Sequence, residues 1–182
     1  MARNHRRRVD SQSAGCNLSG RKFGGTPMLV MSAIAMLGAQ AATAAPATVS
    51  SHNPQSIVQF MQDLGYRAKL SKDKVGDPMI ESGHGGSNFT IFFYGCEKGV
   101  KCADLAFQTG YDADAGKEPS LETVNKFNKD FRWVRAAIDD EKDPTLQMDV
   151  IFTDGLMSRK MFEEVIEVWA DGMGNFEKAI GW

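Results

Sequence analysis

The amino-acid sequence reads as an α+β domain: an antiparallel sheet packed by helices, in the order α-β-β-β-β-α-β-β-α. Three observations carry that reading. Three segments repeat apolar residues every three or four positions, as amphipathic helices do. Residues Asn88 to Gly110 form two apolar stretches around a Gly99-containing turn, the pattern of a β-hairpin. Leu146, Met148, Val150 and Phe152 alternate with more polar neighbours, as a half-buried strand does. Strands joined by tight turns pair antiparallel, and helices laid over one face of such a sheet make two layers.

The elements follow in order. Asn53 is placed to cap a first helix, Pro54 suits its first position and Gly65 the residue past its end. Ile57, Phe60, Met61 and Leu64 share the buried face of that helix. Short strands are expected over Tyr66 to Leu70 and Met79 to Glu81, around turn chemistry at Gly76-Asp77-Pro78. Gly83-His84-Gly85-Gly86 reads as a loop.

The hairpin register can be read from its own residues. If Cys96 faces Cys102, then Phe93 faces Leu105 and Ile91 faces Phe107 on an apolar face. The other face then pairs Tyr94 with Asp104, Phe92 with Ala106 and Thr90 with Gln108, a mixed surface. A cysteine pair is expected to bond on this less buried face. The loop it closes is short, worth about 2.4 kcal/mol in the chain-entropy account.

Ser120 is placed to cap a second helix whose stripe is Leu121, Val124, Phe127 or Asn128, and Phe131. Trp133 to Asp139 and Leu146 to Thr153 read as strands. A last helix spans about Ser158 to Ile180, with Phe162, Val165, Ile166, Trp169, Met173, Phe176 and Ile180 in its stripe. That stripe is expected to be core, with room for a homodimer face; Gly172 and Gly174 are expected to weaken its latter half. No internal repeat is read.

The 182 residues hold 42% hydrophobic and 24% charged side chains, which excludes a disordered chain or a multi-span membrane protein. The net charge of -2 joins two unlike parts. Residues 1–41 carry six bases against one acid, a charge of +5, and the remainder carries 15 bases against 22 acids, a charge of -7. Arg21 and Lys22, the apolar run Pro27 to Ala39, and Ala39-Gln40-Ala41 make a secretory signal peptide. Residues 1–41 are therefore expected to be a signal with an extended basic start, cut after Ala41 or Ala44. A linker over 42–52 and one domain over 53–182 follow. The protein is expected to be periplasmic or secreted and free of the membrane after cleavage. Export leaves Cys96 and Cys102 as an even pair in an oxidising compartment.

Few constellations point to chemistry. His84 among glycines lacks the G-x-S-x-G elbow that an esterase needs. A calcium loop counted from Asp112 would need glycine where Lys117 stands and glutamate where Thr123 stands. Asp139 to Asp143 is a charged turn. Asn125, Asn128, Arg132 and Arg135 either tie the second helix to the next strand or contact a small ligand; the tie is the simpler reading.

Several segments resemble the YbjN type, a bacterial family described as sensory transduction regulators. They are Leu64-Gly65-Tyr66-Arg67-Ala68, Gly76-Asp77-Pro78-Met79-Ile80 and Phe93-Tyr94-Gly95-Cys96 through Cys102. Val124-Asn125-Lys126-Phe127-Asn128, Arg132-Trp133, Arg135-Ala136 and Leu146-Gln147-Met148-Asp149-Val150 complete the set. The resemblance implies a fold similar to type III secretion chaperones, a non-enzymatic protein and no catalytic residues. No cofactor is expected, and no metal, since the Cys96 and Cys102 pair would need two further ligands and the exported part has only His52 and His84. The expected partner is a protein segment docking on the mixed hairpin face at Phe92 and Tyr94 or on the edge strands. An acidic exported domain is a poor nucleic-acid binder. A small-ligand site and a hydrolase with an unrecognised site are the alternatives.

Overall fold

The computed structural model describes residues 46–182. The expected signal peptide and the first part of the expected linker lie outside the described residues. The chain is an α+β fold in which three helices accompany an open, antiparallel six-stranded sheet.

Each element has a local cause. Helix α1 (Pro54–Asp63) starts at Asn53 with Pro54 at its head and buries Ile57, Val58, Phe60 and Met61. Asn53 makes no side-chain capping bond. Strand β2 (Ala68–Lys72) turns into β3 (Pro78–His84). Gly83 and His84, expected in a loop, belong to β3; the turn is only Gly85-Gly86, with φ of 60° and 100°. Two successive positive φ values make the hairpin turn whose twist matches the strands, and glycine reaches them without a Cβ clash.

Strands β4 (Ser87–Tyr94) and β5 (Asp104–Gly110) form the central hairpin. Their register is the one read from the sequence: Phe93 opposite Leu105, Ile91 opposite Phe107, Phe92 opposite Ala106 and Tyr94 opposite Asp104. Cys96 and Cys102 are disulfide-bonded. The expectation for their surroundings fails, because Cys102 is fully buried and part of the core, with Cys96 half-buried against it. The ladder ends at Tyr94 and Asp104, so strand alternation does not extend to the cysteines. The Ser51 hydroxyl donates to the Cys102 carbonyl at 2.5 Å and holds the loop inward.

Helix α2 (Leu121–Asp130) is capped by Ser120, whose hydroxyl accepts from the Thr123 N–H. It buries Val124 and Phe127, whereas Leu121, expected in the stripe, is 77% exposed. Leu121 sits in the first turn, which overhangs the core. Strands β6 (Arg135–Ile138) and β7 (Pro144–Ile151) follow. Helix α3 (Arg159–Ile180) is capped by Ser158 and buries its stripe from Phe162 to Phe176 within the domain. Gly172 does not end it: a Cβ there would lie 2.7 Å from Val134 Cγ1, so the missing side chain admits Val134.

Two elements are absent from the sequence reading. Thr48–Ser50, taken as linker, is strand β1, and Leu156–Ser158 is β8; they pair antiparallel as a second sheet. Val49 is buried, so this part of the presumed linker is part of the fold.

The large sheet has the order β2-β3-β4-β5-β7-β6. One face carries Ile80, Ile91, Phe93, Leu105, Phe107 and Met148 into the core with α3. Phe107 packs against Phe162 and Trp169, and Phe89 meets Trp169 edge-on. The Trp169 indole N–H is buried without a partner among the described residues.

A repeat does exist, and it is structural. The unit α1-β2-β3 and the unit α2-β6-β7 each run helix, edge strand, tight turn, inner strand. Their turns coincide bond for bond. The Asp73 carboxylate accepts from the Val75 and Asp77 N–H groups, and Asp139 accepts from Glu141 and Asp143. Pro78 and Pro144 open the inner strands. The expectation of no repeat fails because the likeness lies in backbone geometry and a few turn residues, not in a run of identities.

Candidate interaction surface

Of the large sheet's two faces, one is packed on the core. The other bears alternate side chains in cross-strand rows. One row runs Lys69, Glu81, Thr90, Gln108, Gln147 and Arg135. The next runs Ser71, Met79, Phe92, Ala106 and Asp149, and a third runs Tyr94, Asp104 and Ile151. The result is a polar row beside two mixed rows, in which Met79, Phe92, Tyr94 and Ile151 are the large apolar side chains. Tyr94 is 48% and Ile151 77% exposed, and Met79 and Phe92 are half-buried. Ala106 is fully buried although it points to this face, because Phe92 stands across from it. A hollow of about 460 Å³ lies over Thr90, Phe92, Gln108 and Gln147.

The residues selected from the sequence therefore fall into two groups. Phe92, Tyr94 and Arg135 share the open face. Asn125, Asn128 and Arg132 belong to α2 and its exit. Asn128 makes the tie that the sequence suggested: its amide donates to the Ala136 carbonyl at 2.9 Å and accepts from the Ala136 N–H at 2.8 Å. Half of its hydrogen-bonding capacity, one N–H and one lone pair, is thereby committed to Ala136. Asn125 is exposed. Arg132 lies 5.8 Å from the centroid of the exposed Trp133 ring. On the same helix, Lys126 hydrogen-bonds Asp130, which holds that carboxyl below its ordinary value and the ammonium above its own.

The two sheet edges matter as much as the face. An edge strand offers every second residue's N–H and C=O outward. The Asp139 N–H bonds Asp143 O, so Ala136 and Ile138 of β6 point outward. Asn128 closes Ala136 on both its groups. The Asp73 N–H bonds Asp77 O, so Ala68, Leu70 and Lys72 of β2 point outward. Gln62 of α1 closes only the Ala68 carbonyl, at 2.9 Å.

Other polar clusters are tied into structure. Asp139, Glu141 and Asp143 bring carboxylate oxygens within 4.8 Å of one another. Asp139 and Asp143 already accept backbone N–H groups there, Asp143 from Ala113. His84 stacks on Tyr66. Asp149 accepts from Gln147 at 2.7 Å on the open face.

Ile151 falls on the side of β7 opposite Leu146, Met148, Val150 and Phe152, as alternation requires. Met79 was within reach of the same alternation rule, had β3 been drawn at full length. The closure of the edges by Gln62 had no sequence signal.

No curated protein matches the chain. A family model described as "YbjN: Putative bacterial sensory transduction regulator" matches residues 53–182, which takes in both helix–edge units, the central hairpin and α3. The chain belongs to the YbjN family.

Proposed function

We propose that this protein acts by binding rather than by turnover: a periplasmic protein-interaction module with a regulatory or envelope-stress role. The observation that supports this reading is the open sheet face. It keeps Met79, Phe92, Tyr94 and Ile151 at or near solvent in adjacent rows, bordered by Gln108, Gln147 and Arg135. An apolar centre with a polar rim is the composition of a protein–protein interface. The charge of -7 over residues 42–182 opposes binding to nucleic acid. The small-ligand alternative is weakened by Asn128, whose amide is engaged with Ala136.

The test is site-specific photo-crosslinking in intact cells, with the crosslinker at Tyr94 and, as a control, at exposed Glu122 on α2. A discrete protein adduct from Tyr94 and none from Glu122 is the expected outcome. No adduct from any open-face position contradicts the reading. So does turnover of an ester, phosphoester or glycoside that is lost in a folded Asp149→Ala variant. Intact mass of the protein from an osmotic-shock fraction tests export. A chain beginning at Ala42 or Ala45 is expected, and an uncut chain retained in the cytoplasm contradicts it. Native mass spectrometry of the same sample reads whether a second copy is bound.

A further inference from the structure

Of the sheet's two edges, β6 offers little. Its outward groups at Ala136 are taken by Asn128, which leaves Ile138 as the one strand residue still facing out. On β2, Leu70 and Lys72 both face out, and no other described residue hydrogen-bonds those groups. Two consecutive outward residues present two donors and two acceptors at ladder spacing, which is what an added strand needs.

Charge selects what can add there. Residues 67–74 carry Arg67, Lys69, Lys72 and Lys74 against Asp73 alone. This is a basic strip on a domain that is acidic overall. The equivalent stretch at the other edge, residues 134–141, carries Arg135 against Asp139, Asp140 and Glu141. The two edges thus have opposite signs. Lysines on an edge strand also discourage indiscriminate pairing, so an incoming strand needs charges that satisfy them. The side chains specify alternation as well. Arg67 and Lys69 lie on the open-face side, whereas Leu70, 38% exposed, lies on the helix side.

We propose that the β2 edge is a docking edge for an extended acidic polypeptide segment. The segment adds as a further strand beside Leu70 and Lys72. It places acidic side chains toward Arg67 and Lys69 and an apolar side chain against Leu70. This rests on the reading of the protein as an interaction module and names the chemistry of its partner. The chain's own basic residues 1–41 have the wrong charge for this edge. The acidic β6 edge of a second copy has the right sign but is closed by Asn128.

The probe is a seven-residue peptide of alternating Glu and Val, titrated into protein of residues 42–182 with its disulfide intact and observed by amide NMR and hydrogen exchange. One control peptide has Lys for Glu. A second carries N-methyl groups on alternate amides, which removes its ladder donors. The acidic peptide is expected to slow exchange at the Leu70 and Lys72 amides about tenfold or more and to weaken as salt rises. The N-methylated and basic peptides are expected to bind about tenfold more weakly. Leu70→Pro removes an outward N–H and the Leu70 side chain without breaking a ladder bond to β3, and should abolish the protection at Lys72; Lys69→Glu with Lys72→Glu should reverse the charge preference. Equal binding of acidic and basic peptides, full binding of the N-methylated peptide, or protection elsewhere with β2 unchanged overturns the proposal. So does a peptide-free dimer joined through β2. If Leu70→Pro fails to fold, the N-methylated peptide asks the same question of the wild-type protein. A crosslinked partner at Tyr94 with no response at β2 sinks this proposal alone. An absence of adducts from every position sinks the interaction reading itself.

Discussion

The units α1-β2-β3 and α2-β6-β7 are built alike and finished differently. Each uses a helix amide side chain to close the edge strand, and each turns on an aspartate that accepts two backbone N–H groups. In the first unit Gln62 reaches one carbonyl; in the second Asn128 takes both groups of Ala136. The difference is one of geometry. Asn128 lies eight residues before Ala136 and bridges its N–H and C=O as a neighbouring strand would. The second edge is therefore closed at Ala136 while the first stays accessible at Leu70 and Lys72. Since the edges carry opposite charge, an unsealed β6 would suit the β2 edge of another copy. Such a head-to-tail contact does not close on itself and builds chains. Asn128 is thus a structural tie, and its loss is expected to open Ala136 to such pairing.

The largest effect is expected from breaking that seal. Asn128→Ala removes two hydrogen bonds and leaves Ala136 unsatisfied, a loss of about 2–3 kcal/mol. It should also produce concentration-dependent association in analytical ultracentrifugation, suppressed by salt. Gln62→Ala removes one bond and should cost about 1 kcal/mol without changing the monomer. If the two variants behave alike, the edges do not differ as described.

The turns sharpen the comparison at smaller scale. The left-handed position is Gly76 in the first turn, with φ of 95°, and Lys142 in the second, with φ of 71°. A Cβ is disfavoured there, so Gly76→Ala should destabilise by about 1 kcal/mol. Lys142→Gly should stabilise by less, because glycine also loosens the unfolded chain. Chemical denaturation reads both. Opposite signs are expected; the same sign for both would break the equivalence of the turns.

The smallest effect concerns alkaline pH. Burial, then the Glu167 and Asp171 carboxylates, pushes the Tyr66 phenol above its ordinary value. Burial, then Glu177, does the same more strongly for Tyr111, which lies between the units and hydrogen-bonds Glu177. A raised phenol pKa adds stability that is intact below the unfolded value of about 10 and is lost as pH rises toward the folded one. Stability should therefore fall above about pH 10. Tyr111→Phe should flatten that slope more than Tyr66→Phe does. Equal slopes in the two variants would contradict the difference in burial.

Much of this fold was legible because its signals are local. Alternation on both strands and the facing cysteines specified the β4–β5 register, and three- and four-residue spacing placed the helices. Asn128 was also legible as a tie, since it sits in the last turn of the helix that leads into the strand it closes. Local rules failed where the ladder stops. Cys102 turned inward because alternation ends at Asp104. Strands β1 and β8 have three residues each, too few to show a period. Half of the candidate site was visible as Phe92 and Tyr94. The open β2 edge was not, because an unpaired backbone group is a property of what lies beside a strand, and that neighbour is found only in three dimensions.

One edge of the sheet is closed at Ala136, and the other is open at Leu70 and Lys72. Residue-resolved hydrogen exchange on the free protein tests this difference most directly. The Ala136 amide should be protected, while Leu70 and Lys72 exchange at close to the rate of free peptide. Rapid exchange at Ala136, or equal protection at all three, would contradict the account.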